Sequence, residues 1–274
     1  MCVSATRCVL GPAKRSAART ACNRSASETD SLLTTPRQRE VVNNESISDN
    51  ITNERMFDNL KAVKEIQLKT KEMGRKAEVL GWVADQYAIR ADLLAHRWGR
   101  GGQVTGERVR QVVATWRSDG LVRTGRLLGN QPQWIWPTAK GMAAGGRSWR
   151  AARPAYHLLT HIDAVAAVRL GLEQRCALSR WDCERRLYQD ASPGAHVADG
   201  VAWFGDDPWA VEVDLTQKSR RRLEAILAEL LGRWPGVFYV CSTDTIRAAV
   251  ADVAAGDAAV HLTPLGDLDP RCAP

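Results

Sequence analysis

The sequence predicts a two-domain protein of mixed α/β (α+β) class, with three helices and a hairpin ahead of a mixed sheet flanked by helices. Three observations predict it. Apolar residues recur at helical spacing from Val79 to Trp116, then switch to short extended runs between Leu121 and Trp136. Short strand-like runs alternate with helical patterns from Trp181 to Leu262, the succession expected of a sheet covered by helices. Between them, Gly145 to Pro154 (GGRSWRAARP) has the glycine, proline and arginine content of a linker. At 274 residues and 45% hydrophobic content, the chain is long enough to build two cores.

The termini stand apart from this plan. Residues 1–55 are rich in Ser, Thr, Asn and Pro and poor in aromatics, too little apolar surface to offset the entropy of ordering, so a disordered leader is expected. The first 27 residues hold Arg, Lys, Ser and Ala without an acid, as organellar transit peptides do; an unstructured leader, or a true start at Met56, is the preferred reading. Residues 56–76 place Phe57, Leu60, Val63, Leu68 and Met73 at helical spacing, a lead-in helix whose apolar stripe suits pairing of two copies into a homodimer. A tail is expected over residues 266–274.

Composition narrows the function classes. An excess of 38 Lys and Arg over 31 Asp and Glu, net +7, favours a polyanionic partner. Seven scattered cysteines with no C-x-x-C pair argue against a zinc site or a disulfide framework and fit a reducing, cytoplasmic setting. No apolar run approaches the ~20 residues that span a bilayer, so no membrane association is expected.

In the first domain, residues 77–146, a helix over 77–87 buries Val79, Leu80, Val83 and Tyr87, and a short second helix buries Leu93, Leu94 and Trp98. Gly99 to Gly102 supply a tight turn. The third helix, Thr105 to Ser118, buries Val109, Val112, Val113 and Trp116, and Asp119-Gly120 closes it as a glycine C-cap. At 100° per residue its opposite face carries Arg108, Arg110, Gln111 and Thr115. Arginine pairs with guanine and glutamine with adenine in the major groove, so this face points to double-stranded DNA. Leu121 to Leu127 and Gln133 to Trp136 pair as strands around Gly129-Asn130, a wing whose Arg123 and Arg126 are placed for phosphates or a minor groove. The expectation is a winged helix-turn-helix that binds DNA.

In the second domain, residues 156–265, an apolar helix over 156–172 is core. His157 and His161 share one of its faces, with no third ligand at metal-site spacing. Strands are expected at 181–187, 196–204 and 209–216, a helix at 218–231, a strand at 237–241, a helix at 245–254 and a strand at 259–262. Asp199 falls in the second strand, while Glu212 and Asp214, two apart in the third, share a face. Three converging carboxylates suit a hard divalent ion such as magnesium, which can activate water for phosphodiester hydrolysis. Lys218 is placed to stabilise phosphate charge, and Glu184 on the first strand to join the cluster. Equally, these acids can lie on a solvated face paired with the run Lys218 to Arg222.

The segments LVRTGRLLGNQPQWIWPTAKG, THIDAVAAVRLGLE, CERRLYQD, HVADGVAWF and AVEVDLTQKSRRRLEAIL resemble the replication-relaxation family of plasmids and integrated elements over roughly two thirds of the chain. The family pairs a winged helix with a nuclease-like domain. The second half is also similar in layout to the restriction-endonuclease-like PD-(D/E)XK fold. That similarity makes Asp199 the first metal-binding aspartate and Glu212 the acid of the triplet. Two residues on, where the pattern has lysine, this chain has Asp214, leaving either a migrated Lys218 or a domain that does not cut.

Three expectations follow. The first is a DNA-binding protein of a plasmid or mobile element that controls replication, transfer or transcription. The second is a magnesium-dependent DNA nuclease using Asp199, Glu212, Asp214 and Lys218. The third is an interaction protein that binds a replication initiator, a relaxase or another replication or transfer protein.

Overall fold

The computed structural model describes residues 73–99 and 104–272, which form one compact unit. Most of the expected lead-in helix and all of the leader lie outside the described residues. The class is mixed α/β, with one three-stranded and one five-stranded sheet.

Helix α1 is described over residues 73–85 and ends two residues earlier than its periodicity predicts. Tyr87 lies beyond it at φ 63°, a left-handed conformation rare for an aromatic residue, and so is not a residue of the helical stripe. The chain next forms a short strand the sequence did not signal, β1 (Ile89–Arg90), then α2 (Ala91–Gly99) and α3 (Gly106–Ser118). Thr105 caps α3 by accepting from the Arg108 amide at 3.3 Å. At its other end Gly120 takes φ 71°, and the amides of Gly120 and Leu121 donate to the carbonyls of Arg117 and Trp116, at 3.0 and 2.8 Å. That pair of bonds satisfies the last carbonyls and turns the chain into the hairpin.

Strands β2 (Val122–Gly125) and β3 (Trp134–Pro137) pair antiparallel, and β1 adds to the other side of β3, giving the order β1-β3-β2. Helix α4 (Ala139–Ala144) follows, capped by Thr138. Trp134, Ile135 and Trp136 are all buried, which anchors the hairpin stem.

Residues 147–155 are no free tether. Arg147 binds the buried Asp85 through Nε at 2.7 Å and Nη2 at 3.0 Å, Trp149 packs against the second core, and Pro154 is buried. A buried carboxylate needs a cation, and that need docks the segment.

After a 3-10 turn (Tyr156–Leu158) that leaves His157 exposed comes α5 (Leu159–Arg175), apolar nearly all round. A helix of that kind must be covered on several sides. Ala166, Ala167 and Leu170 complete the core of α1, α2 and α3, while Ala164, Val165, Val168 and Leu172 pack on the large sheet. One helix therefore serves both cores.

The large sheet has the order β4 (Arg180–Cys183), β5 (Gly200–Phe204), β6 (Asp207–Asp214), β7 (Val237–Cys241), β8 (Val260–Pro264). The first three strands are antiparallel; β6-β7 and β7-β8 are parallel, joined through α7 (Arg220–Leu231) and α8 (Asp244–Ala254). Helix α5 covers one face over Val211, Val213 and Val240, whereas α7 and α8 cover the other over Ala210, Val237 and Tyr239.

Two expectations are corrected here. The first strand ends at Cys183, where its pairing with β5 stops at Gly200, and helix α6 (Glu184–Asp190) takes over. The expected tail includes a helical turn, α9 (Leu265–Leu268), with Leu268 buried and Arg271 bound to Asp163 at 3.0 Å and Asp269 at 2.7 Å. Among the described residues no helix is long and apolar enough to cross a membrane.

Candidate functional site

Two clusters stand out, one on the first three helices and one at the edge of β5 and β6. On α3, Val109, Val112, Val113 and Trp116 point inward, leaving Arg108, Arg110, Gln111 and Thr115 exposed. Glu107 accepts from Arg110 Nε at 3.1 Å and from Gln111 Nε2 at 3.4 Å, so it orients both side chains. Arg110 holds the exposed Glu107 carboxyl below the usual glutamate range. Arg123 in β2 and Arg126 in the hairpin loop are exposed as well.

The acidic cluster is built by the sheet register. Gly200 pairs with Val211, so Asp199, one residue ahead of β5 rather than inside a strand, comes beside Glu212. Asp199 Oδ2 accepts from the Val213 amide at 2.7 Å, continuing the ladder where the strand stops. Its Oδ1 meets His161 Nε2 of α5 at 2.7 Å. Glu212, 4% exposed, meets His196 Nε2 at 3.0 Å through Oε2 and Lys218 at 3.7 Å through Oε1. Asp214 accepts from the Tyr239 hydroxyl at 2.6 Å and is ion-paired with Lys218.

Glu184, the first residue of α6, faces the same cluster and lies beside Tyr87. Asp85, Gln86, Tyr87, His161, Glu184 and Asp199 together line a small crevice. The strained turn at Tyr87 thus sets the end of α1 over the acids.

The electrostatics follow from burial and crowding. Burial pushes Glu184 and Glu212 above the usual glutamate range, and the neighbouring Asp199 charge pushes them further. For His161, burial opposes the charge, but the hydrogen bond and charge of Asp199, with Glu184 and Glu212 behind it, outweigh it and raise the pKa above 6.5. For His196 the Glu212 hydrogen bond is the larger effect and raises the pKa despite burial.

The donor set does not fit the magnesium ion that the resemblance implies. Each carboxylate of Asp199, Glu212 and Asp214 is engaged by a protein donor, and Lys218 stands between Glu212 and Asp214 where a cation would neutralise both. Among the described residues, no three or more His, Cys, Asp or Glu side chains are arranged to hold a metal ion. In place of three carboxylates free to converge on an ion, Asp214 turns to Tyr239 and Lys218, and Asp199 to His161. His196 and Tyr239 carry no local signal in the sequence; the segment ahead of β5 brings the first to Glu212, and the β6-β7 pairing brings the second to Asp214.

The described chain is thus a mixed α/β protein with an exposed polar face on α3 and a buried acid-base cluster. No known protein family and no curated protein matches it. Among solved structures there is a weak likeness to protein VC1899 from Vibrio cholerae, at 9% identity and a TM-score of 0.29. The likeness covers 73% of this chain and 54% of that one, so this chain spans about half the length of that protein.

Proposed function

We propose that this chain is a sequence-specific DNA-binding protein of a plasmid or mobile element, acting in the control of replication, transfer or transcription. One observation carries the reading: α3 exposes Arg108, Arg110, Gln111 and Thr115 opposite a fully apolar buried stripe. The order helix, strand, helix, helix, hairpin, with sheet order β1-β3-β2, suits a winged helix-turn-helix in which α3 enters the major groove. Arg123 and Arg126 then fall on the wing, where phosphate contacts set affinity. The resemblance to replication-relaxation proteins supports the setting on a plasmid or integrated element.

The test is selection of a DNA site from a random pool followed by gel-shift with full-length protein. Arg110→Ala is expected to lose about 1–3 kcal/mol on the selected site and to relax the choice of base. Arg126→Ala is expected to weaken all sequences evenly and lower the salt slope by about one. If both variants bind like the parent, the reading fails.

A second reading concerns the other half. The β4-β5-β6-β7 order, with Glu184, Asp199, Glu212 and Lys218 gathered at its edge, favours a nuclease-like fold. Protein donors already fill the carboxylates, so contact with DNA or a replication or transfer protein is the preferred role. Cleavage of supercoiled plasmid with magnesium or manganese, abolished by Asp199→Ala and Glu212→Ala, would overturn that preference.

A further inference from the structure

Two segments that the duplex-binding reading leaves unused, GGRSWRAARP and CERRLYQD, come together in the fold. Residues 146–149, strand β4 and helix α6 border an open cleft of about 530 Å3. β4 is the edge strand of the large sheet, so the cleft opens at the margin of the domain, away from α7 and α8.

Its wall is organised by buried carboxylates that hold arginines in fixed poses. Asp182, 7% exposed, accepts from Trp203 Nε1 at 2.8 Å and from Arg180 Nη2 at 3.1 Å, and lies 3.6 Å from Arg186 Nη1. The Arg180 guanidinium lies over the Trp203 ring, 3.9 Å from its centroid. The Arg180 and Arg186 side chains nonetheless remain 51% and 59% exposed, with donors to spare. On the facing wall Arg147 is held by Asp85, which Arg169 shares at 3.1 Å, and lies near the half-buried Trp149. The lining is balanced in charge, Arg147, Arg180 and Arg186 against Asp85, Asp182 and Asp190, so what it offers a ligand is the exposed forks of Arg180 and Arg186.

We propose that this cleft holds a single-stranded nucleic-acid segment, a second nucleic-acid site separate from the α3 face. Preorganised guanidinium forks match phosphate oxygens bidentately. A guanidinium plane already stacked on tryptophan presents its other face to a base, the mode by which splayed single strands are held. A cleft of this size takes nucleotides of one strand; a duplex, whose major groove alone is ~12 Å wide, does not enter it.

The experiment measures binding of full-length protein to fluorescent dT15 and to a random-sequence duplex, with unlabelled dTMP as competitor. Arg180→Ala with Arg186→Ala is expected to weaken dT15 by about tenfold or more and leave duplex binding within about twofold. Arg110→Ala with Arg126→Ala is expected to do the reverse. Because the alanine pair also strips the buried Asp182 of partners, Arg180→Lys with Arg186→Lys is run alongside. Those lysines keep the charge but lose the fork and the plane, and a loss of about three- to fivefold on dT15 is expected. The proposal is overturned if the lysine pair binds dT15 like the parent, if the alanine pair weakens dT15 and duplex equally, or if dTMP competes as tightly as dT15. Failure of duplex recognition alone would leave this site standing.

Discussion

At the scale of single residues, the acidic cluster is a set of charges that hold one another. Lys218 neutralises two carboxylates, one of them Asp214, only 2% exposed. Lys218→Met is expected to cost about 3 kcal/mol, the low end for breaking a buried pair because the lysine keeps some solvent access, read as a lower urea midpoint. The histidines set a pH dependence. His161 and His196 both titrate above 6.5 in the folded state, so between that value and their folded pKa the native protein holds more protons than the unfolded chain. Their stabilisation is complete below pH 6.5 and is lost as pH rises through the folded values. Urea midpoints are expected to fall across this window. His161→Asn with His196→Asn flattens the profile, and an unchanged slope would refute the assignment.

At the scale of elements, caps and close approaches decide where helices stop and how they pack. The Asp119-Gly120 end of α3 was legible because a C-cap is a local arrangement of a few residues. The end of α1 was not, because Tyr87 continues the apolar spacing, whereas the chain turns there at φ 63° and goes on to pair β1 with β3, far away in sequence. Gly171 shows a similar non-local constraint: a Cβ there would sit 1.9 Å from the Leu268 carbonyl oxygen, where α5 meets α9. A backbone oxygen cannot swing aside as a side chain can. Gly171→Ala is expected to destabilise by about 1–3 kcal/mol, checked by thermal unfolding, although alanine is the better helix former.

At the scale of the whole molecule, α5 ties the two halves into one body. Its Ala166, Ala167 and Leu170 belong to the core of the first three helices, and its Leu159 and Ile162 pack with Trp134 and Trp136 of the hairpin. A fragment ending at residue 155 therefore lacks part of its own core and is expected to show little cooperative thermal unfolding by circular dichroism. The full chain is expected to unfold residues 73–272 in one transition. Leu170→Ala, at a cost of about 2–5 kcal/mol, would lower the midpoint of both halves together. Two separate transitions in the full chain would overturn this.

The sequence by itself determined α2, α3, α5, α7 and α8, most of α1 and most strands, the buried and exposed faces of α3, and the acids of the second half, but not the short helices α4, α6 and α9. These follow from periodicity and caps, which act over a few residues. Tertiary structure decided what those acids do: His161, His196, Lys218 and Tyr239 reach Asp199, Glu212 and Asp214 from separate elements. It also decided that the expected linker is a docked wall of a cleft and that one helix fills two cores. The physical reason is that a buried charge or a helix buried on several sides states only that partners are required. Which residues supply them depends on sheet register and packing, and no local pattern encodes either.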